Sequence, residues 1–230
     1  MIIRLTDNCL PTFLDQCEWI DAQEGFVCYP WEVTPREYLQ FASADLAEGQ
    51  QRSRINAIGN AKRAIHSHVD FLLHNCGRCL RQANFPTKLQ TLQKLGVVAP
   101  SLLNKYNRLR NLMEHEYVCP TQEQASEVVD VATLFIEATR SYTRPLPSSM
   151  LLRTRDGKQV CKIECNWDER LLVIMADPVP ADSCGACVIM ADTKLDLWTQ
   201  WVSKIMQFLQ DSSDPYVKCE NESSFAPSRS

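Results

Sequence analysis

The stretch Asn104 to Tyr117 reads N-K-Y-N-R-L-R-N-L-M-E-H-E-Y. Leu102, Tyr106, Leu109 and Met113 recur at helical spacing, which predicts a helix with one buried stripe. A helix advances about 100° per residue, so Asn104, Arg108, Asn111 and His115 gather on the opposite face. That face is polar and carries no acid to neutralise its arginine.

Other helical patterns flank this one. Thr34-Pro35 followed by Arg36 and Glu37 predicts a helix start: Thr as N-cap, Pro at the first helical position and an acid in the first turn. Tyr38, Phe41, Ala42 and Leu46 give it an apolar side, and Gly49 interrupts or ends it. A longer helix is expected from Arg52 to Cys76, with Ile55, Ile58, Ile65, Val69, Leu72 and Cys76 as its stripe. Ala57, Ala61 and Ala64 form a small-residue side open to close helix approach. Pro86 opens a short helix through Leu95, and Pro100-Ser101 precedes the motif helix, which ends near Cys119-Pro120. Thr121 caps the next, whose expected buried face is Val128, Val131, Leu134, Phe135 and Ala138. Long helices with short connections predict an up-and-down bundle over residues 35–144 and a mainly α protein.

Residues 1–34 form an N-terminal extension that either caps the bundle or lines a dimer contact. Pro145 and Pro147 mark a boundary, after which the pattern changes. Met150 to Thr154, Gln159 to Cys165, Arg170 to Ala176 and Ala186 to Met190 read as strands, with Asp156-Gly157 and Asn166-Trp167-Asp168 as turns. Leu171 to Met175 is continuously apolar and is expected to be covered on both faces. A helix from Thr193 to Leu209 completes a small α+β domain at 148–210. Residues 211–230 lack periodicity and read as a disordered tail.

The net charge of −4 conceals a strong asymmetry. Residues 50–111 hold eleven Lys or Arg against one acid, Asp70, while the first 49 residues hold two basic and nine acidic side chains. A basic middle with acidic flanks is the electrostatic footprint of a polyanion-binding surface. The bland alternative is a solvated helix surface with scattered charges, but one acid leaves few local ion-pair partners. Lys62, Arg63, Lys105 and Arg108 are the candidate RNA-binding positions. No apolar run reaches membrane length and no leader precedes the first helix, so a cytoplasmic protein without membrane contact is expected. Its eleven cysteines are then reduced thiols.

Arg110, Asn111, His115 and Tyr117 together form R-N-x-x-x-H-x-Y. This pattern resembles the signature of the HEPN superfamily, and Ser53 to Leu73 is similar to the first long helix of its bacterial members. The resemblance runs from Arg36 to Tyr142, less than half of the chain. It implies a helical homodimer and a metal-independent, cofactor-free endoribonuclease of a toxin-antitoxin or phage-defence system. Arg110, Asn111 and His115 are its implied catalytic set, Tyr117 a phosphate-binding or modified residue, and an antitoxin or defence protein a possible partner. The implied products are 2′,3′-cyclic phosphate and 5′-OH ends.

The side-chain chemistry suits such a reaction. An imidazole's unperturbed pKa lies near neutrality, so His115 is a natural proton-transfer group, and Arg110 offers a fixed fork of donors to phosphate oxygens. Asn111 lies one helical turn before His115 and is within reach of the imidazole or the substrate. Arg110 and His115 are about 140° apart on the wheel. They converge more easily if two chains meet along their motif helices, which makes a composite cleft in a symmetric dimer.

Structural alternatives exist for each residue. Arg110 and Glu114 have i, i+4 ion-pair spacing, His115 could bond a carbonyl, and Tyr117 could lie in the core. His66, His68 and Asp70 read as solvated polar residues rather than metal ligands. Cys161, Cys165, Cys184 and Cys187 have partial zinc-site spacing, though buried strand cysteines explain them more simply. Two rival functions follow: a non-catalytic HEPN-type module that binds RNA, nucleotide or protein, and an interaction protein with a structural zinc in the C-terminal domain.

Overall fold

The computed structural model describes residues 11–23, 25, 30–77, 82–97, 119–179, 181 and 186–211. The chain divides into two compact units, Cys28–Arg144 and Met1–Val27 with Pro145–Ser230.

The first unit is helical among its described residues. Helix α1, Pro35–Glu48, starts in a capping box: the Thr34 hydroxyl accepts from the Glu37 N–H at 3.2 Å, and the Glu37 carboxylate accepts from the Thr34 N–H at 2.7 Å. Gly49 ends it in the left-handed region, at φ +68°. Helix α2, Gln51–Asn75, buries Ala57, Ala61 and Ala64 completely, together with Ile65, Val69 and Leu72. Helix α3, Phe85–Lys94, is capped by Asn84, whose side chain accepts from the Thr87 N–H at 2.9 Å. Helix α4, Gln122–Ala138, repeats the capping box with Thr121 and Gln124.

Two apolar stripes are rotated from their sequence-based expectation. The buried face of α4 is Ala125, Val128, Val129, Ala132, Phe135 and Ile136, and Leu134 is left 59% exposed. Ile55 of α2 is likewise exposed.

The second unit contains a five-stranded antiparallel sheet in the order β1-β2-β3-β4-β5. Its strands are β1 Cys17–Gln23, β2 Ser149–Thr154, β3 Val160–Asn166, β4 Leu171–Asp177 and β5 Ala186–Met190. Gly157, at φ +70°, turns the chain between β2 and β3. Between β3 and β4 the Asn166 side chain accepts from the Glu169 N–H at 3.0 Å. The buried face of the sheet presents Met150, Leu152, Cys161, Ile163, Cys165, Leu172, Ile174, Cys187 and Ile189. Helix α5, Leu195–Asp211, contributes Trp198, Trp201, Val202, Ile205 and Met206 to this core. A 3-10 helix, Pro11–Gln16, adds Phe13, whose ring meets that of Trp201 edge-on at 5.5 Å.

These elements correct the fold class expected from sequence. The protein is mixed α+β, not mainly α, because the sheet has five strands and one of them comes from the N-terminal segment. Strand β1 escapes a period-two reading because a bulge between Trp19 and Asp21 interrupts its alternation. Its partner β2 is also remote in sequence, pairing Cys17 with Thr154. A second correction concerns β4, whose burial alternates: one face is buried and the other only half-covered. The expected tail lies outside the described residues from 212 onward.

Candidate nucleic-acid interface

Among the candidate positions, Lys62 and Arg63 are described, and both lie on α2. Arg63 is exposed, and its Nη1 donates to Asn60 Oδ1 at 2.8 Å. Asn60 in turn donates to Asp45 Oδ2 of α1, also at 2.8 Å. Lys62 is half-buried. Arg110, Asn111, His115, Tyr117, Lys105 and Arg108 lie outside the described residues.

Other basic residues of the 50–111 segment are engaged in the fold. Arg54 donates through Nε to the Pro120 carbonyl at 2.9 Å and through Nη1 to the Gly49 carbonyl at 3.0 Å. It therefore satisfies the carbonyl of the α1 C-cap and fastens the chain just before α4. Lys88 of α3 pairs with Asp70 of α2 at 2.6 Å, with side chains 10% and 28% exposed. The one acid of the basic segment thus neutralises one of its lysines.

Asn75, near the end of α2, donates to the carbonyls of Tyr142 and Arg144 at 3.0 and 2.9 Å. The Tyr142 hydroxyl donates to the Gly96 carbonyl at 3.3 Å. Gly96 is therefore held by Tyr142, whose own carbonyl is bound by Asn75 of α2, while Pro120 is held by Arg54 near the N-terminal end of that helix. These anchors bracket the interval 98–118, which contains the motif.

Two of the described histidines, His68 and His66, pack against other side chains of the helical unit. His68 is 3% exposed, and its Nε2 lies 2.8 Å from the Thr139 hydroxyl, which itself donates to the Phe135 carbonyl at 2.6 Å. That arrangement assigns the Nε2–H tautomer, with Thr139 as acceptor. Burial, reinforced by the positive charge of Arg36, pushes the His68 pKa down to about 4. The imidazole is therefore a neutral core group, not the solvated residue that its position in the H-S-H run suggested. Helical spacing offered the signal: His68 shares a face with Ala64, Ile65 and Leu72. His66 stacks on Phe85, with ring centroids 4.2 Å apart and planes 7° apart.

Nor do the cysteines converge. Cys161 and Cys165 occupy one face of β3 with Ile163 between them, about 13 Å apart at ~3.3 Å per residue. Cys187 lies two strands away, in the row of Ile163 and Ile174. Zinc ligands need sulfurs about 2.3 Å from one metal. Burial also pushes the Cys165 thiol up to about 12, helped by the charge of Glu164, and this disfavours the thiolate that metal binding requires. Cys184 lies outside the described residues. Among those described, no group of three or more His, Cys, Asp or Glu is arranged to hold a metal ion.

No helix among the described residues is long and apolar enough to cross a membrane. Comparison with protein-family models, with curated proteins and with solved structures yields no match to this chain.

Proposed function

We propose that this protein is a HEPN-type, metal-independent endoribonuclease acting in the cytoplasm as part of a toxin-antitoxin or phage-defence system. The observation that carries this reading is the R-N-x-x-x-H-x-Y pattern at Arg110 to Tyr117, which begins at the end of the basic segment 50–111. The reaction is attack of a ribose 2′-OH on the adjacent phosphate, with expulsion of the 5′ oxygen. His115 moves a proton, Arg110 stabilises the charge on the phosphorane, and Asn111 orients the imidazole or the substrate. Lys62, Arg63, Lys105 and Arg108 steer the RNA backbone, and Tyr117 binds phosphate or carries a modification.

The reading includes a homodimer in which the motif segments of two copies meet, so that each Arg110 serves the partner's site.

The experiment is cleavage of a mixed RNA pool in EDTA by wild type, His115→Ala and Arg110→Ala, each checked for fold by circular dichroism. Loss of the proton-transfer group is expected to lower the rate about 10² to 10⁴-fold. Cleavage that persists unchanged in both folded variants would exclude this site. Tight RNA binding without cleavage by any form would favour a non-catalytic binding module.

A further inference from the structure

The two edges of the sheet are built differently. Strand β1 carries Glu18 and Asp21 and is bulged between Trp19 and Asp21. Acidic side chains and bulges are the usual devices that stop an edge strand from pairing with another chain. Strand β5 reads A-C-V-I-M, with no charge, proline or glycine, and its described pairing, with β4, is free of register shifts. Among the described residues nothing pairs with its other side.

The backbone phase of β5 follows from one bond. The Ala191 N–H donates to the Arg170 carbonyl at 3.0 Å, which makes 170 and 191 a hydrogen-bonded pair. Bonded and non-bonded pairs alternate along an antiparallel ladder. Cys187 and Ile189 therefore turn their amide groups towards β4, while Ala186, Val188 and Met190 turn theirs to the open edge. The Met190 carbonyl already accepts from the Lys194 N–H at 2.9 Å. Both groups of Val188 and of Ala186 remain aimed outward.

The side chains on this outer face are apolar. Val188 is 47% and Met190 44% exposed, and Leu171, Val173 and Met175 of β4 lie half-buried beside them. By contrast, the β1–β3 side of the face is polar, with Arg153 bound to Glu18 at 2.8 Å and Lys162 to Glu164 at 2.6 Å.

We propose that β5 is a self-association site, pairing antiparallel with β5 of a second copy about a two-fold axis through Val188. In that register Val188 faces its own symmetry mate and exchanges both hydrogen bonds with it. Ala186 faces Met190, and Cys187 faces Ile189, so each large side chain meets a small one. No like charges oppose one another within the strand pair, and Arg170 and Asp192, just beyond the ends of β4 and β5, compensate each other at 3.2 Å. The two apolar strips join into one across a continuous ten-stranded sheet. A five-residue strand buries less than the ~800 Å² per partner of a standard interface, so the association is reversible and weak. This inference is independent of the ribonuclease reading, which expects its dimer contact at the motif.

Amide hydrogen exchange of the full chain, measured from about 1 μM to about 100 μM, tests it directly. The Val188 and Met190 amides are expected to slow several-fold as concentration rises. Val188→Lys, which places two ammonium groups at the axis, abolishes that dependence, and the neutral, β-branched Val188→Thr keeps it. Fast exchange at Val188 at every concentration would show an unpaired edge, and slow exchange at every concentration would show an edge covered by the same chain. Either result overturns the proposal. Should Val188→Lys fail to fold, the wild-type concentration series alone decides. A dimer formed elsewhere leaves the Val188 amide unchanged and so is distinguished.

Discussion

The helical unit buries Ser53, His68, Asn75, Lys88 and Thr139, whereas the polar residues buried in the sheet unit, among those described, are Thr154 and Gln159. In the helical unit these groups fix where segments begin and end. Asn75 holds residues 142 and 144, His68 holds Thr139, and Lys88 holds α3 against α2. The sheet unit is instead positioned by its backbone ladder and filled by apolar side chains, with Trp198 and Trp201 fully buried. The difference teaches that one unit depends on particular charges and protonation states, while the other depends on volume and backbone fit.

The largest expected effect is in the sheet unit. Trp201→Ala removes a ring with no exposed surface, and should cost about 3–5 kcal/mol in urea denaturation. A loss below about 1 kcal/mol would mean that α5 does not share this core.

The helical unit should respond to pH through His68. The His68 pKa of about 4 in the folded state lies below its ordinary value near 6.5, so the unfolded chain binds more protons between these limits. His68 therefore contributes stability that is complete above about pH 6.5 and lost as pH falls towards 4, on the order of 3 kcal/mol in total. Between pH 7 and 5 the thermal midpoint should drop in wild type and much less in His68→Gln. Equal slopes in both would remove His68 from the account.

Two glycines sharpen the contrast. A Cβ at Gly25 would lie 1.9 Å from the Leu146 carbonyl oxygen, a backbone clash that no side-chain rotation relieves. Gly25→Ala should destabilise the sheet unit by about 2 kcal/mol or more, measured by denaturation. Among the described residues, a Cβ at Gly59 on α2 would meet only Arg63 Nη1, at 3.8 Å. Gly59→Ala should therefore raise stability by about 0.5–1 kcal/mol through helix propensity, and a loss would show that this face of α2 is more tightly packed than its neighbours indicate.

Local chemistry was legible in the sequence. Thr34 with Glu37, Gly49, Thr121 with Gln124, and Gly157 act where a cap, a stop or a turn was expected, because each effect is confined to a few neighbouring residues. Strands β2 to β5 were legible as short apolar runs, with turns read at Asp156-Gly157 and Asn166-Trp167-Asp168, although the continuous apolar run of β4 concealed its alternating burial. Strand β1 was not, since its bulge breaks the period and its partner lies beyond the whole helical unit. The stripe of α4 was misplaced because Val131 and Leu134 fit a helical period as well as Val129 and Ile136, and only tertiary packing chooses between them. The burial of His68 was obscured by reading H-S-H as a polar cluster. For the motif itself, its chemistry rests on sequence, and Arg54, Asn75 and Tyr142 add the anchors on either side of it.

We propose that Arg110, Asn111 and His115 cleave RNA by internal 2′-OH attack. The most direct test is the end chemistry of RNA cut by wild-type protein in EDTA. Wild-type protein is expected to leave 2′,3′-cyclic phosphate and 5′-OH ends, and these disappear with a folded His115→Ala variant. Ends bearing 3′-OH and 5′-phosphate, or cyclic ends undiminished by the substitution, would contradict it.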